Sequence, residues 1–308
     1  MFCKTITMVK ALLRVDQIAA IVPSVQHAER EGWGMGQALE GKVAIVTGSS
    51  RGIGRGIAMC LADEGADVVV CARSDESAAN PLGSIEQTAQ EIRDVGGKAT
   101  AMKLDVTKDD EVRVVIEAVK RDYGHIDIVV NNAARMGQGG GDFWGSGPEN
   151  LDAYYFTNVR APYLITTLVA PHMETIGGGV IINITSAGAN LPRPPGPDWQ
   201  LPEGRTYVGY GITKAALNRW VAGIAGELRL HNVAIVAVDP GRTVVERNIA
   251  NPIAGVDYST ANMPETTGRA VVFICQDAMA YTGRVMESKT LVNENNLKLS
   301  GMTPRNQA

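Results

Sequence analysis

No stretch of this chain is apolar for long enough to cross a bilayer as a helix. Cysteine is scarce: four in 308 residues, Cys3, Cys60, Cys71 and Cys275, with no CxxC pair. That excludes a disulfide scaffold and a cysteine-held metal, and it suits a reducing, cytoplasmic setting. The four histidines, His27, His125, His172 and His231, lack ligand spacing. Each reads as structural or exposed, and no metal is expected. Excess positive charge is absent too. A net charge of −4 argues against a general partner of nucleic acid or anionic membranes.

What is present centres on Lys42-Val43-Ala44-Ile45-Val46-Thr47-Gly48-Ser49-Ser50-Arg51-Gly52-Ile53-Gly54. An apolar β-branched run stops at a glycine, and two more glycines follow at GxxxGxG spacing. The helical sequence of residues 55–61 comes next. Strand, glycine turn, helix is the build of a dinucleotide site. The glycines allow a tight turn and a close approach to pyrophosphate, and the helix N-terminus offers free N–H groups. The plainer reading is an ordinary glycine-rich turn; the strand before it and the helix after it favour the site.

From residue 42 onward strand and helix patterns alternate. Strands are expected at 42–47, 67–72, 99–104, 126–131, 179–185, 233–238 and 285–292. Most are continuous apolar runs, as in parallel strands buried on both faces. Helices are expected at 53–64, 84–95, 108–122, 150–175, 208–230 and 264–276. The fold class is therefore α/β: a doubly wound, Rossmann-type, mostly parallel seven-stranded sheet with helices on both faces. Residues 41–292 are assigned to one domain and 293–308 to a loose polar tail. Residues 1–40 stand apart. Lys4, Lys10 and Arg14 precede the first acid, as in a targeting peptide, but no clear cleavage site follows. A loosely ordered extension is preferred. Residues 137–141, 191–199 and 242–263 leave carboxyl ends of strands, where open α/β sheets bind ligands, and are read as pocket walls rather than plain surface insertions.

The second strand ends at Ala72-Arg73. An NAD site usually places an acid there for the ribose 2′-hydroxyl. Its absence, with Arg73 and Arg51 available to fork a 2′-phosphate, favours NADP(H) with NAD(H) as the lesser option. The plain alternative is two solvated arginines. Asp105 and Val106 end the third strand where an adenine would lie. Asn131, Asn132, Ala133 and Ala134 end the fourth, either capping the next segment or tying strands beneath the cofactor.

Ser186 follows a buried strand at the same edge. Tyr210 and Lys214, spaced i, i+4, share one face of the next helix. A free tyrosine, pKa about 10, is a poor base at neutral pH. A nearby ammonium, helped by an oxidised nicotinamide, lowers that value, so Tyr210 can move a proton at a carbinol or carbonyl oxygen that Ser186 also bonds. Pro162 has no N–H for the carbonyl four residues back, on Asn158. That carbonyl is either free to hold a water or simply part of a proline kink.

Together these residues resemble the short-chain dehydrogenase/reductase family, compact single-domain branch, over about residues 42–245. The match runs through the turn at 47–54, Asp105, the Asn-Asn-Ala-Ala run, Asn158, Ser186, Tyr210, Lys214 and Asp239-Pro240-Gly241. The resemblance implies Tyr210 as general acid/base and Ser186 as the polariser of the carbonyl. Lys214 would bind the nicotinamide ribose and tune Tyr210. Asn158 would support a relay water, and Pro240 and Gly241 would flank the nicotinamide. It also implies a homo-oligomer, a tetramer or dimer, built on helices 150–175 and 208–230. The sequence departs from the family in four places. NNAG reads NNAA, 24 positions separate Ser186 from Tyr210, and the VDGG-like end is missing. Thr243 stands two residues before Val245, near which the family often has a threonine. The expected function is hydride transfer between NADP(H) and a secondary alcohol/ketone pair of small molecules. The rivals are a non-catalytic NADP(H)-binding regulator or scaffold on the same fold, and a lyase or isomerase. No charge constellation in the wall segments identifies the substrate.

Overall fold

The computed structural model describes residues 36–73, 82–136, 147–190, 208–252 and 258–302. Seven strands form one parallel sheet: β1 (Val43–Thr47), β2 (Asp67–Ala72), β3 (Lys98–Lys103), β4 (Ile128–Asn131), β5 (Gly179–Ile184), β6 (Val233–Asp239) and β7 (Val285–Glu287). Their order is β3-β2-β1-β4-β5-β6-β7. The chain runs outward from β1 to β3, then returns to place β4 on the other side of β1. The crevice at that reversal, beyond the carboxyl ends of β1 and β4, is where such sheets bind ligands.

The helices are α1 (Gly52–Asp63), α2 (Ile85–Asp94), α3 (Asp109–Tyr123), α4 (Pro148–Tyr155), α5 (Ala161–Thr175), α6 (Val208–Leu230), α7 (Glu246–Ala250), α8 (Pro264–Gln276), α9 (Ala278–Tyr281) and α10 (Ser288–Glu294). Successive strand residues feed opposite faces. Ala44, Val46, Val68 and Val70 meet Ile57 and Leu61 of α1 and Val271 of α8. Ile45, Val69, Val129 and Ile181 meet Ile116 of α3, Ile165 of α5 and Val221 of α6. Both faces are thus dry, which is why the inner strands read as unbroken apolar runs. At the amino edge Asp127 joins two strands: Val43 N–H donates to its Oδ2 at 2.9 Å and Lys42 Nζ to its Oδ1 at 2.9 Å.

Four local expectations are corrected. The strand expected over 285–292 stops at Glu287 and becomes α10, whose Leu291 and Val292 pack into the core beside α1 and α8. The helix expected over 150–175 is broken by a π-turn at Phe156–Arg160, just before Pro162. A proline withdraws one donor from the ladder, and widening by one residue is a standard response. The tail is not loose up to residue 302. The backbone N–H groups of Gly301 and Met302 and the Ser300 hydroxyl all donate to the buried Glu265 carboxylate, and Met302 is buried. Residues 36–40 are likewise held: Leu39 is buried and its N–H donates to Glu64 O at 2.8 Å. The rest of the extension, with Cys3 and His27, lies outside the described residues. So do residues 137–146, 191–207, 253–257 and 303–308.

Candidate active site

The glycine turn closes β1 as its spacing requires. Gly48 and Gly52 take φ of +67° and +57°, in the left-handed region that favours glycine. At Gly54 a Cβ would lie 2.4 Å from the Gly48 carbonyl oxygen, so no side chain fits there. Ser49, inside the turn, is fully buried; its Oγ donates to Val46 O at 2.7 Å and accepts from Cys71 N–H at 3.0 Å, locking the ends of β1 and β2 together. Thr47 Oγ1 accepts the N–H groups of Asn132 and Ala133, and Asn132 Nδ2 donates to the carbonyls of Thr47 and Gly48. Asn131 Nδ2 donates to Asn183 Oδ1 at 3.0 Å, joining β4 to β5. The asparagine pair ties strands beneath the crevice. The alternative, a simple cap, does not describe it.

At the other end Ser186 lies two residues beyond β5 and caps the short 3₁₀ turn Ala187–Ala189, its Oγ accepting from Gly188 N–H at 3.1 Å. Tyr210 sits in the first turn of α6 beside Ser186: a Cβ on Gly188 would lie 3.4 Å from the Ser186 Oγ and 3.8 Å from the Tyr210 ring. One turn on, Lys214 is buried, its Nζ donating to Ile184 O at 2.6 Å and lying 5.6 Å from the Tyr210 ring centre. Burial alone pulls the Lys214 ammonium down to about 8. Burial pushes the Tyr210 phenol above its ordinary value. The neighbouring Ser186 hydroxyl and the Arg247 guanidinium act to lower it, and Asp239 acts to raise it further. This corrects the expectation of a lowered tyrosine as far as the protein alone is concerned: the Lys214 proton points at a backbone carbonyl, and desolvation wins. Burial also raises Asp239, against N–H bonds from Gly241 and Ala187.

A cleft of about 650 Å³ joins the two ends. Gly48, Ser50, Arg51, Gly52, Ile53, Gly54, Arg73, Asp105, Val106 and Ala133 line one part of it, and Ser186, Tyr210, Lys214, Pro240, Gly241 and Thr243 the other. Thr243 Oγ1 turns back onto Pro240 O at 3.1 Å. Two expected residues stand behind the wall. Asn131 ties strands, as above. Asn158 is buried in the π-turn, its Oδ1 accepting from Arg135 N–H at 2.9 Å and its Nδ2 donating to Arg135 O and Thr213 Oγ1. Glu246 and Arg247 line the cleft as well; sequence reading placed them within the 242–263 wall segment without singling them out. The one signal was their place just after Asp239-Pro240-Gly241.

Such a groove, with a cramped glycine turn at a helix start and a hydroxyl pair on its floor, suits a nicotinamide dinucleotide. The comparisons agree. The family model for short chain dehydrogenases matches residues 42–252. The chain is a short-chain dehydrogenase/reductase. Dehydrogenase/reductase SDR family member 1 of Mus musculus is 31% identical over 285 residues, covering 84% of this chain and 83% of its own. The 7alpha-hydroxysteroid dehydrogenase of Clostridium sardiniense is 31% identical over 270 residues, covering 81% and 92%. A 7 alpha-hydroxysteroid dehydrogenase solved with NADH and 7-oxo glycochenodeoxycholic acid superposes with a TM-score of 0.67 at 26% identity, covering 88% of this chain and 97% of the other. Short-chain dehydrogenase/reductases are oxidoreductases that bind NAD(P)(H) and act on small molecules. In this member no described helix is long and apolar enough to cross a membrane, and the described residues hold no metal-binding cluster.

Proposed function

We propose that this protein is an NADP(H)-dependent oxidoreductase that interconverts a secondary alcohol and a ketone. One observation carries the reading: Ser186 and Tyr210 stand side by side in the lining of one cleft, with Lys214 one helical turn away. The cleft would hold a nicotinamide dinucleotide between the glycine turn and Ser186, Tyr210 and Lys214, and that group would supply or accept the hydride at the carbonyl carbon. Tyr210 Oη gives a proton to the carbonyl oxygen in reduction and takes it back in oxidation. Ser186 Oγ donates to the same oxygen and stabilises the charge growing on it. The Lys214 ammonium would hold the nicotinamide ribose and replace the proton lost by Tyr210. The π-turn beside Pro162 supports a water on the Asn158 carbonyl that completes this relay.

The preference for NADP(H) rests on Arg51 and Arg73, which line the cleft at the adenosine end, and on Ala72 standing where an acid would repel a 2′-phosphate. NAD(H) is the competing cofactor, since a related enzyme was solved with NADH. Scattered cysteines support a cytoplasmic setting. The half-exposed Tyr163, packed on Trp220 across α5 and α6 at 5.5 Å, supports a homo-oligomer formed through those helices.

Parallel titration with NADPH and NADH, read by nicotinamide fluorescence, tests the cofactor. Tight binding of NADPH alone is expected; a preference for NADH makes the two arginines bystanders. A ketone panel followed at the nicotinamide absorbance then tests the reaction. Turnover without absorbance change would mean lyase or isomerase chemistry, and binding without turnover a regulatory role.

A further inference from the structure

Helix α7 is fixed to the rest of the cleft at several points. Glu246 is 1% exposed, and its Oε2 accepts from Gly52 N–H at 2.8 Å. Asn248 Nδ2 donates to Tyr258 Oη at 3.2 Å. Just before the helix, Val244 N–H donates to Asn262 O at 2.9 Å, and Asn262 N–H to Arg242 O at 2.7 Å. Between Glu246 and Asn248 lies Arg247. It is half-buried and lines the same cleft as Ser186 and Tyr210. Among the described residues its guanidinium makes no ion pair and no side-chain hydrogen bond.

A guanidinium carries five N–H donors and stays charged at any physiological pH. Removing part of it from water without an acceptor is unfavourable, and a carboxylate answers its fork with two parallel bonds. Arg247 shares this cleft with Tyr210, and its positive charge acts to lower the Tyr210 phenol. Of the other cations near this end, Arg242 is exposed. Lys214 Nζ donates to Ile184 O, and the Arg135 guanidinium lies over the Tyr154 ring at 5.9 Å.

We propose that Arg247 is a specificity-determining residue that receives a carboxylate arm of the substrate while its carbonyl lies against Ser186 and Tyr210. The substrate class is then a keto acid and its hydroxy acid, a choice that rests on the oxidoreductase reading above. Glu246 is the positioning residue: its bond to Gly52 fixes α7, and with it the distance from the guanidinium to Tyr210.

The test uses acetoacetate, levulinate, 5-oxohexanoate and 4-acetylbenzoate, each paired with its methyl ester, on wild type, Arg247→Gln and Arg247→Lys. At the best chain length the acid should exceed its ester about tenfold or more in kcat/KM, a tenfold ratio being about 1.4 kcal/mol. Arg247→Gln should erase that advantage by costing the acid about tenfold more than its ester, Arg247→Lys should restore part of it, and NADPH affinity should not move. Esters as good as acids in the wild type, or equal losses for both in Arg247→Gln, overturn the proposal. A fall in NADPH affinity also overturns it, since the guanidinium would then serve the cofactor. If no ketone is turned over, calorimetric titration of the acids into NADP⁺-loaded protein decides. Binding of acids but not esters, lost in Arg247→Gln, upholds the anion site and retires the oxidoreductase reading. No acid binding in the wild type overturns the site itself.

Discussion

Lys214 lies in the protein interior, where burial brings its pKa to about 8 instead of the ordinary value near 10.4. The sign follows: the ammonium prevails at neutral pH and is lost as pH rises through about 8. Since the ammonium is the form that donates to the nicotinamide ribose, dinucleotide affinity should fall over that interval. Fluorescence titrations from pH 6.5 to 9.5 should show the step in the wild type and not in Lys214→Met; the same step in the variant would assign it to another group. Tyr210 and Lys214 were legible in the sequence because one helical turn separates them, and Ser186 because a buried strand ends beside it. Glu246 was not, because its partner Gly52 lies 194 positions away and no local pattern couples them. Ser49 was hidden for a similar reason: its partner Cys71 belongs to the neighbouring strand, 22 positions on.

At the scale of elements, Asp127 shows how much one side chain can hold. Burial acts to raise its pKa, but bonds from Val43 N–H, Lys42 and His125 outweigh that and leave it below the ordinary aspartate value. Its contribution to stability is therefore present above about pH 3.9 and lost as pH falls through the lower folded value. Asp127→Ala leaves the Val43 N–H without its acceptor and should cost about 1–3 kcal/mol at neutral pH. Denaturant unfolding should show the gap from wild type shrinking in acid; an unchanged midpoint at neutral pH would contradict this. The inner strands and helices α1, α2, α3, α6 and α8 were readable because a parallel sheet buried on both faces needs unbroken apolar runs and amphipathic covers. The end of β7 was not. A short run such as Leu291-Val292 suits a buried strand or a buried helix equally, and only packing against α1 and α8 separates them. The tail was misread because its anchor, Glu265, lies on another helix 35 to 37 positions away.

At the scale of the whole molecule, the strand order places the cleft before any side chain is considered. All carboxyl ends lie on one edge, and the reversal at β1 and β4 opens it. The sequence carried this through simple alternation of strand and helix. It did not carry the substrate, because the segments 137–141 and 191–199, expected as walls, have no periodicity to read and lie outside the described residues. Assembly belongs to this scale as well. Sedimentation velocity should give two or four times the mass of one chain, and Tyr163→Glu, which puts charge on the exposed α5–α6 face, should lower that mass while leaving cofactor binding intact. A wild-type protein that sediments as a single chain would contradict the proposed oligomer.

The central claim, that Tyr210 moves the proton in a hydride transfer, is tested most directly by measuring ketone reduction and NADPH binding side by side in wild type and Tyr210→Phe. General acid–base groups contribute about 10²–10⁴-fold to rate. The account predicts a loss of at least that order in kcat for the variant, with NADPH affinity within about twofold of wild type. Reduction at the wild-type rate by Tyr210→Phe would contradict it.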